Sequence, residues 1–307
     1  MSAARSSTAA ARCPADDSLL LMDQRIAKLD LKTSLSALAD LFLPRVCIVC
    51  GASLLPCERH ICMECLADLP LTHFETLSRN PMADRLNAAL PDETRYVYAS
   101  ALFFYSPSAG YDKITKALKY RRNFAAGKYF ARMLGERLAA SPLYSDVDVV
   151  VPVPLHWTRW WSRGYNQAAV IARELAHCLG SPSPSGEPVP SGVPCCPWML
   201  HRVRRTASQT SLSASARINN VSSAFRAESR ISRGCFLRKF DGLLRGTSGS
   251  DIGNSPSGAA RTAYRHILLV DDVFTTGATT AACVSALRAA LGPDVRISVV
   301  TLAVVER

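Results

Sequence analysis

The run HILLVDDVFTTGATTAACVSAL, His266 to Leu287, constrains the fold of this chain more than any other stretch. Ile267–Val270 is a short continuous apolar segment, as expected of a strand buried on both faces of a parallel sheet. Two carboxylates, Asp271 and Asp272, are expected to end it. Small residues follow, Thr275, Thr276, Gly277, Ala278, Thr279 and Thr280, and then Ala281, Val284, Ala286 and Leu287 open a helical apolar pattern. Strand, acid pair, Gly/Thr loop and helix together make a phosphate-binding device, because N–H groups at a helix N-terminus point at an anion and the helix dipole favours it. Gly277 permits close backbone approach or a positive φ, and the threonine hydroxyls add donors. Carboxylates would repel phosphate; they suit the adjoining sugar, whose paired hydroxyls donate to an ionised carboxylate. The plainer alternative is an N-capped helix after an acidic strand end, but a D-D pair followed by TTGATT is more specific than a lone glycine-rich loop.

This segment resembles the phosphoribosyl diphosphate (PRPP) signature of type I phosphoribosyltransferases, in which an apolar strand, two acids and a T-T/A-G-x-T loop recur.

At 307 residues, the length suits one α/β domain with additions. A hydrophobic content of 48% is enough for a core, and no apolar run approaches the roughly 18 residues of a membrane span. The N-terminal MSAARSSTAAARCPADD lacks an apolar segment before Asp16 and Asp17, so it reads as a tail rather than a secretory signal, and a cytoplasmic location is expected. The formal charge of +11 is unevenly spread. Lys113–Arg132 holds seven basic residues and no acidic one, and His156–Arg245 holds thirteen Lys/Arg against four Asp/Glu, so these stretches carry +16 and the remainder is near −5. Such clustering implies a polyanionic partner, a diphosphate-bearing substrate or nucleic acid, with a solvated basic face as the bland alternative.

Eleven cysteines would suggest disulfides in a secreted chain, but their spacing argues for metal. Cys47, Cys50, Cys62 and Cys65 form C-x2-C-x11-C-x2-C, two tight knuckles able to close a tetrahedral structural zinc site. A stretch with so little apolar content would draw folding energy from the metal. Cys57, His60 and His73 are spare ligands, and redox-active C-x-x-C is the alternative. Four cysteines leave no open position for catalysis.

Between these two features, Tyr96–Tyr105 reads as a strand, Asp112 opens a helix through Lys119-Tyr120, and Ala125 to Ala140 is a second helix, with the basic KYRRN between them. Val147–Pro154 is another buried strand, and Ala169 to Leu179 a helix. Arg159, Arg163, Tyr165, Asn166 and Gln167 fall where the sheet's carboxyl edge should lie, the edge at which open α/β sheets bind ligands. Trp157, Trp160 and Trp161 are either core or a stacking surface. Arg202, Arg204, Thr206, Gln209, Arg217 and Asn220 form a polar, basic set of ligand-facing character, and Val295–Val305 is the closing strand.

From about Leu35 onward the chain resembles the ComF family: the four-cysteine ribbon, the ALKY segment, VVPVPLH…RGYNQA, the R-x-R-x-T-x-x-Q…R-x-x-N series and LLVDDVFTTGATT stand in the family's order. The resemblance implies a type I phosphoribosyltransferase-like, open, mostly parallel sheet flanked by helices and preceded by the zinc ribbon. The expected organisation is a tail over 1–34, disordered in part, a ribbon region over 35–75, and a phosphoribosyltransferase-like domain over 95–307 with flexible insertions near 181–197 and 226–261. It further implies that Asp271 and Asp272 hold the ribose hydroxyls, and that Thr275, Thr276, Gly277, Ala278, Thr279 and Thr280 cradle the 5′-phosphate. Arg159 and Arg163 would face the diphosphate as catalytic residues alongside the acid pair. PRPP would arrive with Mg2+, held mostly by diphosphate and water. By resemblance the role is in DNA uptake or DNA utilisation, with phosphoribosyl transfer to a nitrogen base as its chemistry. The alternative is a non-catalytic single-stranded DNA-binding protein, working with DNA-uptake proteins on the same fold. In one departure, the chain has Arg122 where the family often has glycine two residues after LKY.

Overall fold

The computed structural model describes residues 45–91, 95–120, 122–155, 164–179, 192–202, 224–227 and 264–306. The chain divides into two units, Met1–Ala67 and Asp68–Arg307. The N-terminal tail, Trp157, Trp160, Trp161, and most of the insertions lie outside the described residues.

In the first unit the described residues are loops joined by antiparallel bridges at Val46–Ser53 and Arg59–Ile61, followed by helix α1 (Met63–Ala67). Gly51, at φ 82, turns the chain after Cys50.

The second unit is built on four parallel strands, β1 (Tyr98–Phe104), β2 (Val149–Pro152), β5 (His266–Phe274) and β6 (Arg296–Val304), in the order β1-β6-β5-β2. Their sequences are near-continuous apolar runs buried along almost their whole length, as strands covered on both faces must be. Helices α3 (Asp112–Tyr120), α4 (Phe124–Ala139) and α5 (Gln167–Cys178) pack together, with α4 against β1 and β6 and α5 against β2 and β5. Helix α2 (Pro81–Asn87) contacts β1 and α6 (Ala278–Leu291), which packs against β5 and a short antiparallel ribbon, β3 (Leu200–Arg202) with β4 (Phe225–Ala227). The mostly parallel sheet with its helices agrees with the expected α/β class, and the four-cysteine cluster lies, as expected, nearer the N-terminus in the sequence. Strands β1, β2 and β6 are each a little shorter than the expected Tyr96–Tyr105, Val147–Pro154 and Val295–Val305.

One expectation changes. The acid pair does not end the strand: β5 continues through Asp271 and Asp272 to Phe274, with Asp271 opposite Thr301 and Phe274 opposite Val304. β6 is long enough to go on pairing, so the ladder outlasts the apolar segment.

Both sheet edges are covered. On β1, Asn80 Nδ2 donates to Ala99 O (2.9 Å), while Asn87 accepts from Val97 N (2.9 Å) and donates to Val97 O (2.8 Å). On β2, Val150 N donates to Pro194 O and accepts at its carbonyl from Cys196 N, each at 2.9 Å. The segment Pro194–Cys196 therefore joins the sheet edge and satisfies backbone groups that would otherwise be bare.

Candidate functional site

Strand parity sets the geometry of the acid pair. Ile267 and Leu269 share a buried cluster with Cys283, Val284 and Leu287 of α6. Successive side chains alternate faces, so Asp271 continues that row and Asp272 the opposite one. The electrostatics agree. Asp271 acts on the buried thiol of Cys283 and is acted on by Arg202 of β3, whereas Asp272 Oδ2 lies 3.2 Å from Lys119 Nζ at the end of α3. Burial and the neighbouring Asp272 charge push the Asp271 carboxyl up to about 7, although its Oδ1 accepts from Asp272 N at 2.8 Å. Arg202, whose guanidinium lies 5.2 Å from the Phe225 ring centroid, pulls it back down. Lys119 and Asp272 are mostly shielded, with side-chain exposures of 22% and 14%.

The Gly/Thr loop runs from the end of β5 into α6. Gly277 occupies the cap position at φ 80, and no side chain caps the helix. By contrast, α2, α4 and α5 each have an asparagine cap, Asn80, Asn123 and Asn166, accepting from Ala83, Ala126 and Ala168 N at 2.9–3.0 Å. In the first turn of α6 Ala278 N donates only a long hydrogen bond, 3.5 Å, to Thr276 Oγ1, and Gly277 offers no cap of its own, an arrangement that favours an anion. Gly277 is required twice over, since a β-carbon would lie 2.8 Å from the Phe274 ring in addition to the positive φ. Thr275 is exposed, and Thr276 and Thr279 are half-buried. Thr280 is buried and its hydroxyl donates to Gly277 O at 2.9 Å, so its side chain serves the turn. Ala278 opens the helix.

The corner between α3 and α4 brings Lys119 to this edge. Tyr165 hydroxyl donates to Leu118 O, and its ring meets Phe124 edge-on at 4.6 Å. Asn166, the cap of α5, also donates to Val153 O at 3.0 Å, tying the loop to the end of β2. Arg122 takes φ 51, a left-handed conformation that glycine adopts without strain. Its guanidinium fills the space where Gly164, itself at φ 78, has no β-carbon. Arg159 and Arg163, together with Arg204, Thr206, Gln209, Arg217 and Asn220, lie outside the described residues. In the sequence Lys119 was legible as part of ALKY and of the basic KYRRN segment, but not as a partner of the acid pair. Its pairing with Asp272, 153 positions away in the numbering, depends on the fold.

In the first unit, ligand atoms of Cys47, Cys50, Cys62 and Cys65 all lie within 4.8 Å of one another. Backbone amides point at the sulfurs: Cys62 N to Cys47 Sγ (3.4 Å), Ala52 N to Cys50 Sγ (3.4 Å) and Cys65 N to Cys62 Sγ (3.5 Å). Burial opposes ionisation of Cys47, but the amides outweigh it and bring its thiol down to about 6. Burial and the neighbouring cysteines push Cys65 up. Four thiolates at this spacing need a cation to be ionised together, and a tetrahedral, soft-ligand site suits a metal ion such as zinc. Glu58 braces the loop between the knuckles by accepting from Leu55 N (2.7 Å) and Met63 N (2.8 Å), which hold its carboxyl below the usual range. Cys57, His60 and His73 are not members of the cluster.

No helix among the described residues is long and apolar enough to cross a membrane. No family model matches the chain. It is 30% identical over 170 residues to DNA utilization protein YhgH of Salmonella typhi, covering 53% of this chain and 55% of that protein. It is 30% identical over 132 residues to competence protein F of Haemophilus influenzae, covering 43% and 40%, and 25% identical over 242 residues to DNA utilization protein YhgH of Escherichia coli K12, covering 77% and 81%. The match spans about half the length of the first of these relatives. These likenesses to DNA utilization and competence proteins support the ComF resemblance carried by the order of the motifs.

Proposed function

We propose that the second unit binds PRPP or a related phosphoribosyl ligand at the carboxyl edge of β5, and that the protein serves DNA utilisation or uptake. The observation that carries this reading is the acid pair near the end of a parallel strand, with a threonine and glycine turn leading from the strand's end into a helix whose cap residue, Gly277, has no side chain. The 5′-phosphate would accept from the loop and first-turn amides and from the hydroxyls of Thr275, Thr276 and Thr279. Asp272, and Asp271 once ionised, would accept from the ribose hydroxyls. Mg2+ would ride on the diphosphate, and the four-cysteine cluster would hold zinc as a structural brace. Arg159 and Arg163 are proposed to meet the diphosphate. Transfer, if it follows binding, would proceed as diphosphate leaves C1 and a nitrogen base takes its place, with positioning and electrostatic stabilisation supplying the rate. The names of the relatives, DNA utilization protein and competence protein, support the cellular role.

Thermal unfolding with Mg-PRPP tests binding: at a hundred times the dissociation constant, stabilisation of about 2.7 kcal/mol is expected. An unchanged transition would contradict it. A screen of nucleobases for diphosphate release then separates an enzyme from a binder.

A second reading rests on the exposed surface of α3 and α4. Lys113, Lys116, Arg122, Lys128 and Arg132 are exposed there beside the exposed rings of Tyr120 and Phe124. Basic side chains and aromatic rings suffice for single-stranded DNA, and salt-dependent binding of an oligonucleotide, weakened by Tyr120→Ala, would favour it.

A further inference from the structure

The ion pair between Lys119 and Asp272 joins a cation from one element to the carboxylate that the proposed site assigns to ribose. At 3.2 Å, with both side chains largely shielded, it is a direct contact rather than a surface approach. Its position is built in. Leu118, the preceding residue, receives the Tyr165 hydroxyl, and the Arg122 guanidinium packs over Gly164, so the end of α3 is held by the loop that leads into α5. Asp271 also senses the Lys119 charge. A ribose hydroxyl bonding to Asp272 must share or displace this ammonium. A neutral sugar brings nothing to receive it, whereas a diphosphate at C1 does. Lysine suits the exchange: it is a compact point charge with three donors on a flexible stem.

We propose that Lys119 is a specificity-determining residue, which neutralises Asp272 in the empty site and passes to the diphosphate of an incoming ligand, so that the site selects 1-diphosphorylated ribose 5-phosphates over ribose 5-phosphate itself. The inference rests on the reading of this edge as a phosphoribosyl site and adds to it the basis of selection. It gives opposite signs for two ligands on one substitution. Removing the ammonium takes a charge-assisted contact from the diphosphate, and it also removes a competitor for Asp272 that ribose 5-phosphate must otherwise displace.

The experiment is calorimetric titration of the full chain, loaded with zinc, with PRPP and with ribose 5-phosphate at one fixed magnesium concentration. It compares the unsubstituted protein with Lys119→Met and Lys119→Arg. Expected is a preference for PRPP in the unsubstituted protein, weakened about tenfold or more in Lys119→Met through lost PRPP affinity. Ribose 5-phosphate affinity should be unchanged or improved, and Lys119→Arg should keep the preference. If Lys119→Met weakens both ligands equally, or leaves their ratio untouched, the selective role is overturned while the phosphoribosyl site stands. If the unsubstituted protein binds neither ligand, both readings fall together.

Discussion

Asp271 and Asp272 are consecutive in β5 yet belong to opposite faces of the sheet: Asp271 continues the row that packs on α6 and acts on Cys283, while Asp272 Oδ2 is 3.2 Å from Lys119 Nζ of α3. The pair is therefore two different groups. One is screened and paired. The other is pressed toward its neutral form by burial and by its neighbour.

Asp272→Asn should weaken PRPP binding tenfold or more, about 1.4 kcal/mol, without unfolding the domain. Binding and circular dichroism on the same sample check this. Unchanged affinity would remove the ribose role.

The position of Asp271 gives two pH dependences of definite sign. Its carboxyl is raised to about 7 in the folded chain, so the stability it contributes is complete below its unfolded value, and is lost as pH rises through about 7. Asp271→Asn should flatten that decline, as chemical denaturation between pH 4 and 8 would show. If the ionised form binds ribose, PRPP affinity should rise from about pH 6 to 8, beyond the change from phosphate ionisation alone, and the variant should lose that excess.

Gly277→Ala should destabilise the domain by about 1–3 kcal/mol, because the new methyl meets the Phe274 ring and the backbone stays left-handed. It should also abolish phosphate binding by shifting the loop. Wild-type stability in the variant would contradict the turn geometry.

Cys62→Ser should lower zinc content well below one ion per chain, by metal analysis after dialysis. Full occupancy would mean a different ligand set. Acidification should release the metal as the thiolates protonate.

His266 is buried between Asp146 Oδ1 and Ser298 Oγ, each at 2.8 Å from its ring. Burial holds its pKa below the usual value, with Asp146 opposing. A base with a depressed folded pKa contributes stability above its unfolded value and loses it as pH falls. His266→Gln should therefore show a shallower loss of stability below about pH 6.5, its unfolded value.

Much of this architecture is written locally. The apolar run Ile267–Val270, the threonine loop and the C-x2-C pairs are short-range patterns, and their periods and spacings carry the strand, the helix start and the thiol cluster. What the sequence does not display depends on contacts across long separations. The extension of β5 through the acid pair follows from its ladder with β6. The split of the two carboxylates follows from strand parity combined with which helix covers which face. Lys119 reaches Asp272 because Tyr165 and Gly164 hold the α3 end in place. Arg122 in a glycine conformation likewise becomes intelligible only once its guanidinium has a place over Gly164.

The most direct test of the central claim is calorimetric titration of the zinc-loaded chain with Mg-PRPP, beside an Asp271→Asn/Asp272→Asn double variant that retains its fold. Saturable binding in the unsubstituted chain, lost in the variant, is the predicted result. Absence of binding in the unsubstituted chain, or equal binding in both, would contradict a phosphoribosyl site at the end of β5.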